Sequence, residues 1–171
     1  EVEKRLVTEL SFISKNDFAS FYHIAYKMTK FVKDEGHIYT IRGTAGSVFV
    51  SFLLGISDVN PLPPHYYCPN CYYFEETKTA ESEKDLPDKK CPKCDRPLKT
   101  DGNNIPYESF MGFSGDKLPD FDINVPAGVR DKLIGYMKGI FGEEKLARAG
   151  VVSTLFDHGI DKILKEYEKT T

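Results

Sequence analysis

Lys117-Leu118-Pro119-Asp120-Phe121-Asp122-Ile123-Asn124-Val125 is the stretch on which the fold turns. Side chains two apart on a strand share a face, so Asp120 and Asp122 project together while Phe121 turns into the core. Neighbouring carboxylates repel, and both stay ionised when a cation sits between them. Magnesium suits that position, because it prefers carboxylate oxygens and waters and completes its shell with substrate phosphates. Two such ions stabilise the attacking and leaving oxygens of a phosphoryl displacement. Taken alone, Asp-x-Asp is more often a polar strand edge or an Asp turn after Pro119.

On the far side of this strand, Leu133, Ile134, Met137, Ile140 and Phe141 recur at helical spacing, which predicts an amphipathic helix over 130–141 closed by Gly142. A strand-like piece over 149–154 and a helix through Ile160, Ile163, Leu164 and Tyr167 are expected to follow, with Asp157 and Asp161 on its surface. Near the start, Val2, Leu6, Leu10 and Ile13 predict a helix over 1–14. Asn16 or Asp17 is the expected N-cap of a second element rich in aromatics, beginning as a strand, continuing as a helix and ending at Gly36. A β-prone run, His37 to Ile41, leads into the turn Arg42-Gly43-Thr44-Ala45-Gly46-Ser47 and then into an apolar stretch over 48–54, read as a buried helix, with a strand as the alternative that periodicity leaves open. Such a turn can cradle phosphate through converging backbone N–H groups and the fork of donors on Arg42, and it serves equally as a plain strand–helix connection. Asn60-Pro61-Leu62-Pro63-Pro64-His65 is an extended, stiff connection, with His65 as a loop residue.

Between residues 66 and 100 the composition changes to cysteines, charges and few aliphatics. Cys68-Pro69-Asn70-Cys71 and Cys91-Pro92-Lys93-Cys94 stand nineteen residues apart, and no cysteine is left over. Two residues between cysteines let a knuckle aim both thiolates at one ion, and a second knuckle completes a tetrahedral shell. Disulfides, free buried thiols or a redox pair are the alternatives. Four protein ligands leave no position for water, so the expected zinc is structural.

The chain's 171 residues, 40% hydrophobic and 29% charged, supply a core that needs no staple elsewhere. A formal charge of -3 argues against tight DNA binding by this chain alone, although Lys89-Lys90 could touch a phosphate from a solvated turn. No apolar run approaches the ~20 residues that span a membrane. With no secretory leader read at residue 1, the expectation is a cytoplasmic protein.

Together the motifs resemble a known family. Asn60 to Tyr66 running into the first cysteine pair is similar to the Gram-positive, PolC-type branch of the C-family DNA polymerase III catalytic subunits. So are Asp85-Leu86-Pro87-Asp88-Lys89, the second cysteine pair and Gly112-Phe113-Ser114-Gly115-Asp116-Lys117, while Pro119-Asp120-Phe121-Asp122 resembles the aspartate motif of the wider C-family and Phe141-Gly142 with Arg148-Ala149-Gly150 fits its continuation. The resemblance implies an α/β (α+β) fold: a polymerase-β-like nucleotidyltransferase palm, a mixed sheet backed by helices. Its first part would span 1–65, a zinc insertion 66–100 and its second part 101–171. It implies that Asp120 and Asp122 hold catalytic magnesium, that Arg42, Gly43, Thr44, Gly46 and Ser47 bind the triphosphate of an incoming dNTP, and that the four cysteines hold structural zinc. Primer–template DNA and the fingers and thumb of the whole enzyme are the implied partners. The chain departs from the family pattern at Thr40, Ile41, Thr44 and Val48, after Asp122 at Asn124-Val125-Pro126-Ala127-Gly128, and in lacking a match to the third palm aspartate. Ile41 and Val48 favour the alternative reading, a non-catalytic, zinc-stabilised palm-like binding module.

Overall fold

The computed structural model describes residues 2–43, 47–77, 80–108 and 117–150, together with 160, 164, 165 and 167–169. Thr44, Gly46, the run from Gly112 to Asp116, Asp157, Asp161 and most of the expected C-terminal strand and helix lie outside the described residues. The chain divides into two compact units, Glu1–Tyr136 and Met137–Thr171.

In the first unit, helix α1 (Val2–Lys15) buries Glu9 and Ile13, and helix α2 (Ala19–Asp34) buries Tyr22, Ala25, Thr29 and Val32. The turn between them differs from expectation. The Asn16 side chain donates backward to the Phe12 carbonyl at 2.9 Å, so it closes α1 and does not cap α2. Asp17 takes a left-handed φ of 58°, and Phe18 occupies the α2 N-cap with no side-chain bond. Aromatic packing holds the start of α2 in helix, where a strand was expected: Phe18 lies 5.8 Å from Phe12 and 6.0 Å from Phe21. Gly36, at φ 75°, follows the end of α2 as read.

Strand β1 (Thr40–Gly43) pairs antiparallel with β5 (Phe121–Asn124) in a two-stranded sheet, matching Arg42 to Asp122 and Gly43 to Phe121. Between them in sequence comes a short helix, α3 (Phe49–Leu53), which buries Phe49, Val50 and Ser51 and leaves Leu53 exposed. The core gathers Ile13, Tyr22, Ala25, Val48, Val50 and Ile56, with Ile41, Phe121 and Ile123 packed against it. Val48 thus belongs to the core and Ile41 packs against it.

A second sheet, in the order β3-β2-β4, comprises β2 (His65–Tyr67), β3 (Phe74–Glu76) and β4 (Lys99–Asp101), all antiparallel. His65 is no loop residue. It opens β2, is buried, and its Nδ1 lies 2.8 Å from the Pro63 carbonyl. The proline-rich approach is likewise buried at Asn60, Pro61, Leu62 and Pro64. Its carbonyls at 60, 61 and 62 accept the backbone N–H groups of Asn103, Ile105 and Asn104, which anchors the root of the sheet. Helix α4 (Ala127–Phe141) begins three residues earlier than its periodicity indicated and ends before Gly142, at φ 98°. In the second unit a 3-10 turn, Glu143–Lys145, follows.

Candidate functional site

The cysteine pairs fold into two copies of one knuckle. Cys68 N–H donates to Tyr73 O at 2.8 Å, and Tyr72 N–H donates to Cys68 O at 3.0 Å. In the second copy Cys91 N–H donates to Arg96 O at 2.8 Å, and Asp95 N–H donates to Cys91 O at 2.9 Å. Proline after the first cysteine presets the turn, and Tyr72 and Asp95 close it with φ values of 57° and 58°. The four sulfurs converge within 4.8 Å of one another, with Cys68–Cys94 at 3.5 Å and Cys71–Cys91 at 3.4 Å. A tetrahedral zinc–thiolate shell, with bonds near 2.3 Å, needs sulfurs about 3.8 Å apart, so the donor set fits a closed metal site. No disulfide joins the four cysteines.

Their ionisation follows from mutual contact. The Cys68 thiol is pulled down to about 6, first by the backbone hydrogen bond at Cys71 and further by bonds from Cys94 and Cys71. At Cys71 the backbone N–H of Tyr73 lowers the value, but burial and the thiols of Cys91, Cys68 and Cys94 outweigh it and push the group up to about 12. One thiolate stabilised by its neighbours' S–H groups makes the next ionisation harder, and a divalent cation removes that conflict.

Lys89 and Lys90 are exposed, as expected of a solvated turn, and each also meets a carboxylate. Lys89 bonds Glu75 at 2.7 Å and lies over the Tyr66 ring, while Lys90 faces Asp95 at 3.4 Å. Tyr73 also donates to Glu75, at 2.7 Å. The Lys89 hydrogen bond, followed by that of Tyr73, holds the Glu75 carboxyl below its ordinary value.

The second cluster lies where β1 meets β5. Along β5, Phe121 and Ile123 turn inward, Phe121 meeting Tyr22 edge to face at 5.1 Å, and Asp122 and Asn124 face out. Burial, followed by the charge on Glu9, pushes the Tyr22 phenol well above its ordinary range, so this ring stays neutral behind the strand. Arg42 is directly opposite Asp122, with Nη2 and Oδ2 4.0 Å apart and both side chains mostly exposed. Gly43 packs against Asp120 so closely that a β-carbon there would stand 2.6 Å from the Asp120 carbonyl oxygen and 3.3 Å from its Cγ. Arg42 and Gly43 of the turn thus lie directly beside Asp120 and Asp122. Ser47, at the other end of the turn, is buried. Among the described residues the cysteines form the one group of three or more clustered metal-ligating side chains.

Sequence reasoning missed Arg5 and Glu9. Their four-residue spacing on α1 reads as a surface ion pair, yet Glu9 is fully buried.

The family profile described as bacterial DNA polymerase III alpha NTPase domain matches residues 1–167. The chain belongs to that family. It is similar to DNA polymerase III PolC-type of Thermotoga petrophila, 41% identical over 175 residues, covering 99% of this chain and 13% of the relative. The PolC-type polymerases of Halalkalibacterium halodurans (42% over 169 residues, 98% of this chain and 12% of the relative) and Bacillus subtilis (42% over 168 residues, 97% and 12%) are similar to the same extent. The chain spans about an eighth of the length of these relatives. No helix among the described residues is long and apolar enough to cross a membrane.

Proposed function

We propose that this chain is the metal- and nucleotide-binding part of the palm of a PolC-type replicative DNA polymerase, built on the polymerase-β-like nucleotidyltransferase plan. Residues 1–65 and 101–171 form the palm, and 66–100 a zinc-bound insertion. The observation that carries this reading is the β1–β5 pairing, which sets Arg42 and Gly43 against Asp120 and Asp122 from 77 or more residues away in sequence. A cationic fork beside a pair of carboxylates is what a metal–triphosphate complex needs.

Asp120 and Asp122 are the proposed magnesium ligands, and their donors are the hard oxygens that ion prefers. Bound there, magnesium would neutralise charge on the phosphates and on the primer 3′-hydroxyl during nucleotidyl transfer. Arg42 is positioned to donate to the triphosphate, and the turn of Gly43, Thr44, Gly46 and Ser47 to offer backbone N–H groups. Structural zinc is assigned to Cys68, Cys71, Cys91 and Cys94. Primer–template DNA, dNTP and the remaining polymerase domains are the partners of the intact, cytoplasmic enzyme, and polymerisation is expected of that enzyme and not of this chain alone.

Magnesium or manganese titration of the zinc-loaded chain, with and without dNTP, tests the reading. Binding that strengthens with dNTP and disappears in the Asp120→Asn/Asp122→Asn variant is expected. Equal, negligible binding by both proteins would instead favour a palm-like module without catalytic chemistry.

A further inference from the structure

Among the described residues of the first unit Glu9 is the fully buried carboxylate, and none of the metal or phosphate chemistry above uses it. Its Oε1 accepts from Arg5 Nε at 2.9 Å and its Oε2 accepts from the Val50 backbone N–H at 3.0 Å. The rest of the Arg5 fork is also spent on backbone. Nη2 donates to the Ser47 carbonyl at 3.1 Å, and Nη1 donates to the Pro61 carbonyl at 3.2 Å. One ion pair on α1 therefore grips the exit of the Arg42–Ser47 turn, the first residues of α3 and the root of the four-cysteine sheet.

Burying a charge pair costs several kcal/mol per ion before attraction and hydrogen bonds offset it, so it is a poor device for stability alone. What it offers is geometry, because a planar guanidinium bonded at all three nitrogens restricts where the Ser47 carbonyl can lie. The far end of the same turn is fixed differently, by the β1–β5 ladder through Arg42 and Gly43. Gly43 and Ser47, the described ends of the turn, are thus held by separate anchors, of which Arg5–Glu9 is one.

We infer that Arg5 and Glu9 are positioning residues for the nucleotide-binding turn, holding Ser47 so that incoming triphosphate meets the turn in its binding geometry. This inference rests on the reading of that turn as the triphosphate site. Neither side chain touches substrate.

The test is steady-state incorporation by the intact polymerase carrying Arg5→Lys, which keeps a cation beside Glu9 but cannot reach both carbonyls. Glu9→Gln serves as a second variant, keeping size and an acceptor for Val50 while removing the charge. The expected result in both is a rise in KM for dNTP of about tenfold, equivalent to about 1.4 kcal/mol. The maximal rate and the affinity for primer–template should stay within about threefold, small beside that tenfold step. A lower melting temperature with an unchanged KM would reduce the pair to a structural role and overturn the inference. Arg42→Ala separates the two levels of the argument. If it raises the dNTP KM and the Arg5 and Glu9 variants do not, the positioning role fails alone. If Arg42→Ala also leaves KM unchanged, the turn is not the triphosphate site and both fall.

Discussion

Replacing Gly43 by alanine perturbs the junction of the two motifs directly. Gly43 has φ +85°, and a β-carbon there would meet the Asp120 carbonyl oxygen at 2.6 Å. Alanine in the left-handed region costs about 1–2 kcal/mol. Loss of freedom in the unfolded chain returns about 0.4–1 kcal/mol. To reach ordinary contact near 3.4 Å the carbonyl must retreat roughly 0.8 Å, and such forced shifts cost about 1–3 kcal/mol. A net loss of about 1–4.6 kcal/mol, at about 2–4 °C per kcal/mol for a domain of this size, lowers the melting temperature by about 2–18 °C. The same retreat moves Asp120, and a misplacement of about 1 Å at a reacting centre can cost about 10²-fold in rate. Single-nucleotide incorporation by the intact polymerase, together with the thermal midpoint of this chain, reads both effects. A variant that melts lower yet incorporates at the wild-type rate would show that Asp120 does not belong to the reacting centre. Wild-type behaviour in both assays would mean that Gly43 does not lie against Asp120 at all.

Two further outcomes follow from the cysteine sheet. Cys91→Ser, or treatment with a strong chelator, should remove one zinc per chain by native mass spectrometry and expose the β2–β4 amides to exchange while α1 and α2 stay protected. Structural zinc contributes about 10–16 kcal/mol in small zinc-folded peptides, so a wild-type chain that holds no zinc and keeps those amides protected would contradict the assignment. Glu75 supplies a pH test. Its carboxyl is held below its ordinary 4.5 by Lys89 and then Tyr73, so its contribution is fully present above about 4.5 and fades as pH falls through the lower folded value. Thermal midpoints measured from pH 5 down to pH 3 should therefore fall more steeply for wild type than for Glu75→Gln, and parallel curves would remove Glu75 from the network.

The features legible in the sequence were those governed by spacing along the chain. Helical periodicity placed α1 within a residue at each end, because a helix repeats its buried face over a few positions. The paired Cys-Pro-x-Cys runs announced two knuckles, since each turn closes within six residues, and the structure repeats the same hydrogen bonds in both. Alternation around Phe121 gave the inward ring and the outward Asp122 of β5. Where neighbours competed for the same local group, spacing misled. Asn16 had two helix ends within reach and bonded the earlier one, and His65, after three prolines, joined a strand because Tyr66 and Tyr67 pair on both sides.

Tertiary structure alone decided which distant segments meet. Nothing local to Arg42 or Asp122 specifies that they pair, because strand register is set by which faces the core buries, here Ile41, Phe121 and Ile123 against Tyr22 and its neighbours. Nor does the sequence distinguish Arg5 and Glu9 from any exposed helical ion pair, since their burial depends on backbone groups at Ser47, Val50 and Pro61 that arrive from other elements. The sequence by itself determined the chemistry available, thiolates in knuckles and carboxylates at and just before a strand. Long-range packing determined which of those groups come together, because burial is a property of the whole folded chain and not of any segment.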